Sequence, residues 1–196
     1  MVVRVVKLVT AMSDLFVESL VTPVTHDPLV SVTYEDKTVT MGASQATQRA
    51  IAIMSAAAYA EAEAAVFLGL VSSKSSKGFG KTSDKDVQMG VALLHMVRGK
   101  RSPLPDGVQA IFGFNNQKPF VVLDYKEFQI TLELDDARHH SLLLLEASEA
   151  SRFDSFWYTF GQNELDLTPE ERQAVVQEYK LYKERYAVQS LFDLNS

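Results

Sequence analysis

"SQATQRAIAIMSAAAYAEAEAAVFLGL", Ser44 to Leu70, is the stretch that decides the fold. It contains no proline and is dominated by alanine, which has the best helix propensity, so it predicts a helix from Ala43 to about Leu70 with Ser44 as the N-cap. Such a helix runs roughly 40 Å at about 1.5 Å per residue. Because its side chains are small, other elements can approach it closely, and we expect it at the centre of the fold.

Strand patterns flank this helix on both sides. The run Val2–Val9 is β-branched and apolar, and residues 30–34 alternate between apolar and polar side chains before a turn at 35–37 and a second short apolar alternation at 39–41. These patterns predict a first strand and then a hairpin with one wet face. Three further strands are predicted after the helices, at Val108–Phe114, Phe120–Tyr125 and Phe128–Leu134.

Three more helices are predicted. Residues 83–98 carry a helical apolar stripe with Gly99 as a stop, and this helix can pair with the alanine-rich one as an antiparallel hairpin. Residues from about 137 to 160 form the next helix. The last one opens with Thr168 and Glu171 as a capping box and Pro169 at its first position, a specific helix-start signature.

The order of these elements is not the strand–helix alternation of a parallel sheet. It predicts an α+β fold: a mainly antiparallel sheet of five to six strands packed with an alanine-rich helix hairpin, plus C-terminal helices. We expect a core domain over residues 1–160. Residues 161–196 are expected to form a helical extension packed on the core or on a neighbouring subunit. No internal repeat is evident in the sequence.

Composition excludes some classes of site. The 196 residues are 46% hydrophobic and 22% charged, as in an ordinary globular protein, and they include no cysteine. Disulfides, thiolate zinc sites and cysteine nucleophiles are thereby excluded. Arg4 and Lys7 interrupt the apolar start, unlike a signal peptide, and the apolar run Ala64–Val71 is too short to span a bilayer. We therefore predict a cytoplasmic protein with no membrane partner.

Charge is distributed unevenly along the chain. The net charge is −6, yet residues 74–101 carry seven basic and two acidic side chains, so this segment is +5 and the remainder −11. Lysines in a Gly/Ser-rich loop can bind phosphate backbones, and an aromatic can stack on an unpaired base. The candidate residues for binding single-stranded DNA or RNA, or another polyanion, are Lys74, Lys77, Phe79, Lys81, Lys85, Arg98, Lys100 and Arg101. Alternatively, the loop over residues 72–86 is lysine-rich only because it is solvated.

Within this loop, Gly80-Lys81-Thr82 resembles the end of a P-loop, which implies nucleotide binding. The pattern departs where Ser75 stands in place of the first glycine, and the preceding segment is helical in pattern, not extended. A phosphate-handling enzyme is therefore the third choice of function.

Aromatic residues concentrate near the C-terminus. Residues 152–160 contain five of them, which are the usual content of a core and are also enriched at interfaces. In the last helix, tyrosines recur at helical spacing and require a partner surface. The candidate interface residues are Trp157, Tyr179, Tyr182 and Tyr186, for a homo-oligomer or a protein partner.

Few other residues indicate chemistry. In "DDARHH", Asp135 and His139, like Asp136 and His140, are spaced as metal ligands on a helix can be, although Asp136 is equally an N-cap. His95 lies in an apolar helix and is expected in the core. We predict no metal and no cofactor. The first hypothesis is a non-enzymatic protein that binds single-stranded nucleic acid or another polyanion, and the alternative is an assembly or adaptor protein.

Overall fold

The computed structural model describes residues 14–74, 84–113 and 118–193, and within them it has six strands and four helices. The α+β class is confirmed, and the single sheet is wrong, because the strands form two antiparallel sheets of three strands each. In chain order the elements are β1 (Leu15–Val21), β2 (Pro28–Tyr34), β3 (Lys37–Gly42), α1 (Ala43–Lys74), α2 (Asp84–Arg98), β4 (Val108–Gly113), β5 (Lys118–Asp124), β6 (Gln129–Leu132), α3 (Leu134–Asn163) and α4 (Pro169–Asp193).

Both sheets are simple meanders, ordered β1-β2-β3 and β4-β5-β6. The predicted hairpin of β2 and β3 and the three later strands are confirmed. The predicted strand Val2–Val9 lies outside the described residues. β1 was not predicted, because Phe16 and Leu20 stand exposed on its outer face and disrupt the alternation.

The chain contains an internal structural duplication that the sequence did not reveal. α1 begins at Ala43 and α3 at Leu134, 91 positions later, and each follows directly on a three-stranded meander. The strands also pair in the same register at this offset. In the first sheet Val17, Val32 and Val39 are paired in one row, and the residues 91 positions later, Val108, Leu123 and Ile130, are paired in one row of the second sheet. The expectation of no repeat is therefore wrong at the level of structure.

Backbone conformation repeats at the same offset. Glu35 has φ 55° and Lys126 has φ 70°, a left-handed conformation that non-glycine residues seldom adopt. The two residues are 91 positions apart, and each lies in the turn between the second and third strands of its sheet. We call β1–β3, α1 and α2 the first unit, and β4–β6, α3 and α4 the second unit.

The two units exchange their long helices. α1 packs mainly on β4 and β5 of the second unit, whereas α3 packs mainly on β1 and β2 of the first. Buried side chains from both sheets and both helices accordingly form one continuous core. Neither unit can bury its own sheet without the helix of the other.

α1 and α3 run antiparallel and contact each other through small residues. Ser141 Oγ donates to the carbonyl oxygen of Ala50 at 2.8 Å, and these two residues are themselves 91 positions apart, so the contact lies on the axis that relates the units. Alanine on α1 permits this close approach, as expected from its composition. The predicted central position of α1 is confirmed.

Each long helix is followed by a second helix that packs on it. Phe67 of α1 lies against Gly90 of α2, and Leu94 of α2 joins the same apolar cluster, so the predicted antiparallel hairpin of α1 and α2 is confirmed. At the start of α4, the backbone N–H of Thr168 donates to Glu171 Oε2 at 2.9 Å and the N–H of Glu171 donates to Thr168 Oγ1 at 3.3 Å. The predicted capping box is thus confirmed.

Three predictions about single residues are wrong. α1 begins at Ala43, so Ser44 lies inside the helix and does not cap it. Glu133 is the N-cap of α3, where Asp136 was the predicted cap. His95 is exposed on α2, because the core-facing side of that short helix is occupied by Leu94.

Over Ala43–Gly69, α1 is long and apolar enough to cross a bilayer by length and composition, and 44% of this window is buried inside the protein. The core helix of a soluble protein meets the same criteria, and α1 packs in the common core of both units. The structure is compatible with a soluble protein, and the cytoplasmic location stays a prediction.

Candidate functional site

The predicted nucleic-acid residues are only partly described. Lys77, Phe79 and Lys81 lie outside the described residues, and Lys74 and Lys85 lie at the end of α1 and the start of α2. Lys100 is exposed just after α2. Nothing in the structure tests whether these residues meet a polyanion, so this site stays a prediction.

Arg98 and Arg101 have a structural role. Both bind Glu63 of α1, whose side chain is fully buried: Arg98 is bidentate at 3.0 and 2.8 Å, and Arg101 contacts the same carboxylate at 2.5 Å. The hydrogen bonds to Glu63 raise the pKa of Arg98 above its ordinary value. Arg101 also lies over the ring of Tyr59, 4.7 Å from its centroid. These contacts partly neutralise the positive charge of the two arginines.

Three of the four predicted interface residues, Trp157, Tyr179 and Tyr182, lie on a partly exposed aromatic surface. None of the five aromatics between residues 152 and 160 is fully buried, so the core interpretation of this segment is wrong. Tyr179 stacks on Phe153 with ring centroids 3.9 Å apart, Trp157 is half-buried, and Tyr182 is 54% exposed. The side chain of Tyr186 lies outside what the structure describes. The interface itself stays a prediction.

A larger site that the sequence did not indicate lies between the two units. It is a cleft of about 980 Å³, within the usual size of a ligand site, and we call it the Arg49 cleft. Its walls come from β3, the start of α1, the turn before β4 and the turn between β5 and β6. The lining residues are Lys37, Val39, Thr40, Met41, Gln45, Arg49, Asp106, Gly107 and residues 124–129.

Arg49 is held rigidly in this cleft. Its guanidinium lies 4.0 Å from the centroid of the Tyr125 ring, and Nη2 donates to the carbonyl oxygens of Gly107 at 3.2 Å and Asp124 at 2.5 Å. Gly107 has φ +82°, and a Cβ there would stand 2.6 Å from the Asp124 carbonyl oxygen. Only glycine therefore allows this turn to approach Arg49. The described partners of Arg49 are all neutral, so its charge is available to an anionic group.

Beneath the cleft, Tyr125 and His140 form a buried polar pair. The Tyr125 hydroxyl and His140 Nε2 are 2.5 Å apart. Burial lowers the pKa of His140 to about 3, with a further contribution from the charge of Arg49, and burial raises the pKa of Tyr125 to about 12. Both shifts favour the neutral form of each group, and the pair supports the floor of the cleft.

Of the two pairs spaced as metal ligands, Asp135 and His139 are both exposed on one face of α3, whereas Asp136 and His140 are separated by burial. His140 points into the core, whereas His139 is exposed and Asp136 is half-exposed. Among the described residues, no group of three His, Asp or Glu side chains is placed to hold a metal ion.

The rim of the cleft carries both signs of charge. Lys37, Lys126 and Arg49 supply positive groups, and Asp106 and Glu127 with the half-buried Asp124 supply negative ones. The surrounding carboxylates would repel a continuous polyanion. A ligand with both signs of charge suits this rim better.

No protein-family model, no curated protein and no solved structure matches this chain. The functional argument therefore rests on the geometry of the chain.

Sequence reasoning missed Arg49, although a signal was present. Between Ala43 and Ala60 it is the only charged residue in an otherwise apolar and small-residue helix. A lone charge in such a helix needs a specific partner. Its partners, at Gly107 and Asp124, are distant in sequence and could not be foreseen.

Proposed function

We propose that this protein is a non-enzymatic assembly or adaptor protein that binds an extended peptide segment of a partner in the Arg49 cleft. One observation carries the proposal: β3, which lines the cleft, pairs only with β2 among the described strands. An edge strand beside a groove is the arrangement used in recognition by strand addition, where backbone hydrogen bonds give affinity and alternate side chains enter the groove.

The outward-facing backbone groups of β3 can be assigned. β2 and β3 are joined by a two-residue turn, so Tyr34 and Lys37 form a hydrogen-bonded pair, and such pairs alternate with non-hydrogen-bonded ones. The hydroxyl groups of Thr33 and Thr38 approach to 2.9 Å, in agreement with the closer spacing of a non-hydrogen-bonded pair. The N–H and C=O groups of Thr38 and Thr40 therefore point away from β2, toward an added strand.

Side-chain selectivity would come from the charges of the cleft. An acidic side chain of the peptide would meet Arg49, whose fork of N–H donors suits a carboxylate. A basic side chain would meet Asp106 or Glu127 on the opposite rim. The mixed charge of the cleft rim supports a peptide ligand in preference to a nucleic acid at this site.

The proposal is tested with a display library of linear peptides, selected on the full chain. Selected peptides are then titrated calorimetrically into the wild type, Thr40→Pro and Thr40→Val. Proline removes the outward N–H donor at an edge position that tolerates it, so affinity should fall about tenfold or more. Valine keeps the N–H and favours strand structure, so its affinity should match the wild type.

Two results would refute peptide addition at β3. One is a library that yields no binder to the wild type. The other is a set of selected peptides that bind Thr40→Pro as tightly as Thr40→Val. Arg49→Met provides a further readout, because it should weaken peptides with acidic residues and leave neutral peptides less affected.

A further inference from the structure

The two units differ at one pair of equivalent places, where the second helix packs on the long helix. Beside α1 and α2 this place is filled by an apolar cluster of Ala64, Phe67 and Leu94 with Phe112 of β4. The rings of Phe67 and Phe112 are tilted against each other with centroids 5.1 Å apart. No space remains for a ligand between those two rings.

In the second unit the equivalent place is open. The positions 91 residues after Ala64 and Phe67 are Ser155 and Tyr158, and the position equivalent to Phe112 is Val21 of β1. Valine is much smaller than phenylalanine, and Tyr158 stacks on His26 with centroids 5.2 Å apart. A pocket of about 460 Å³ lies here between β1, α3 and α4, which we call the Arg172 pocket.

The buried charges have also diverged. Glu63 of the first unit and Asp154 of the second unit are equivalent and both buried. Glu63 binds two arginines, whereas Asp154 binds Lys180 alone among the described residues, with Lys180 Nζ at 3.2 Å. A second basic side chain, Arg172, lines the same pocket, but its described hydrogen bonds go to other groups than Asp154.

Arg172 is a buried cation without a described counter-ion. It is only 9% exposed, and its Nη1 donates to the carbonyl oxygen of Tyr158 at 3.4 Å and to Gln162 Oε1 at 2.8 Å, both neutral acceptors. Its Nε is buried without a hydrogen-bond partner in the described residues. Burying a charge is costly unless an opposite charge or hydrogen bonds compensate it. An anion in the adjoining pocket would supply that compensation.

We infer that the Arg172 pocket binds a small organic anion with a carboxylate or phosphate group. Arg172 and Lys180 supply positive charge to it, and Lys180 also pairs with Asp154, the one acidic side chain among the described residues that line the pocket. The stacked His26 and Tyr158 rings form a wall against which the body of the molecule packs. This site is separate from the Arg49 cleft, and the inference goes beyond peptide binding.

The test is calorimetric titration of the full chain with inorganic phosphate, with phenyl phosphate and with benzoate, at constant ionic strength. Phenyl phosphate and benzoate distinguish the two anionic groups while keeping one aromatic body. We expect saturable binding of at least one of them. Arg172→Gln should weaken that binding about tenfold or more, because a charge-assisted hydrogen bond is lost.

A matched control is Arg152→Gln, which removes one positive charge from α3, where Arg152 pairs with Glu149 away from the pocket. It should bind as the wild type does. If Arg172→Gln does not fold, Lys180→Gln replaces it, because the Lys180 side chain is 48% exposed and its removal leaves Asp154 facing the anion. The inference is overturned if the wild type binds none of the three probes, or if the folded pocket variant binds them as tightly as Arg152→Gln.

Discussion

Arg49 and His140 occupy equivalent positions in the two units, and burial decides what each can do. The guanidinium of Arg49 lies in the cleft between two carbonyl oxygens and the face of an aromatic ring. His140 is fully enclosed, and its described hydrogen bond is to Tyr125. One position thus provides a recognition group and the other a neutral support for it.

The burial of His140 predicts a pH dependence of stability. Its folded-state pKa is lowered to about 3 from 6.5. Between these two pH values, His140 is protonated in the unfolded chain and neutral in the folded one. Stability from this residue is complete above about pH 6.5 and is lost as pH falls toward 3. Between pH 7 and pH 4.5, the free energy of unfolding measured in urea should fall less for His140→Phe than for the wild type. Equal losses would contradict the prediction.

Glu61 and Glu63 offer a matched comparison two residues apart on α1. Glu63 is fully buried between two arginines, whereas Glu61 is exposed and pairs with Arg138. Glu63→Gln leaves two guanidinium groups without their anion and should lower the free energy of unfolding by about 3 kcal/mol. Glu61→Gln should change it by less than about 1 kcal/mol. Denaturant titration of both variants checks this, and similar losses would refute it.

At the scale of elements, two helical glycines predict opposite effects of alanine. A Cβ at Gly90 of α2 would stand 2.9 Å from Phe67 Cδ2, whereas one at Gly69 of α1 meets nothing within 4 Å. Gly69→Ala should stabilise the protein by about 0.5–1 kcal/mol through helix propensity. Gly90→Ala should lower the melting temperature, because Phe67 must move. A higher melting temperature for both variants would contradict this prediction, because it would mean that Phe67 and Gly90 are not in close contact.

The elements with strong local signals were predictable from sequence, and their assembly was not. The alanine run of α1 and the Thr168–Glu171 box specify their helices by local chemistry alone. The duplication escaped notice because equivalent positions share burial more than identity, as with Ile53 and Leu144 or Ala50 and Ser141. The exchange of α1 and α3 depends on contacts between distant segments, which periodicity cannot reveal.

At the scale of the whole molecule, the charge asymmetry still calls for a test of polyanion binding. A labelled single-stranded oligonucleotide is titrated at increasing salt and followed by fluorescence anisotropy. If residues 72–101 bind it, affinity should fall steeply with salt, and replacing Lys74, Lys77, Lys81 and Lys85 by alanine should abolish binding. The same four changes to arginine keep the charge and should retain it. Absence of binding at low salt would end this hypothesis.

The exchange of helices between the units has a consequence for the order of events during synthesis. When the ribosome has released residues 1–105, the first sheet still lacks α3 and α1 still lacks the strands that cover it. We therefore expect nascent chains stalled at this length to be digested readily by protease, and protection to begin only once α3 has emerged. A protected first half at residue 105 would contradict this. We thus expect more than half of the chain to stay without its tertiary packing until α3, in the last third of the sequence, has been made.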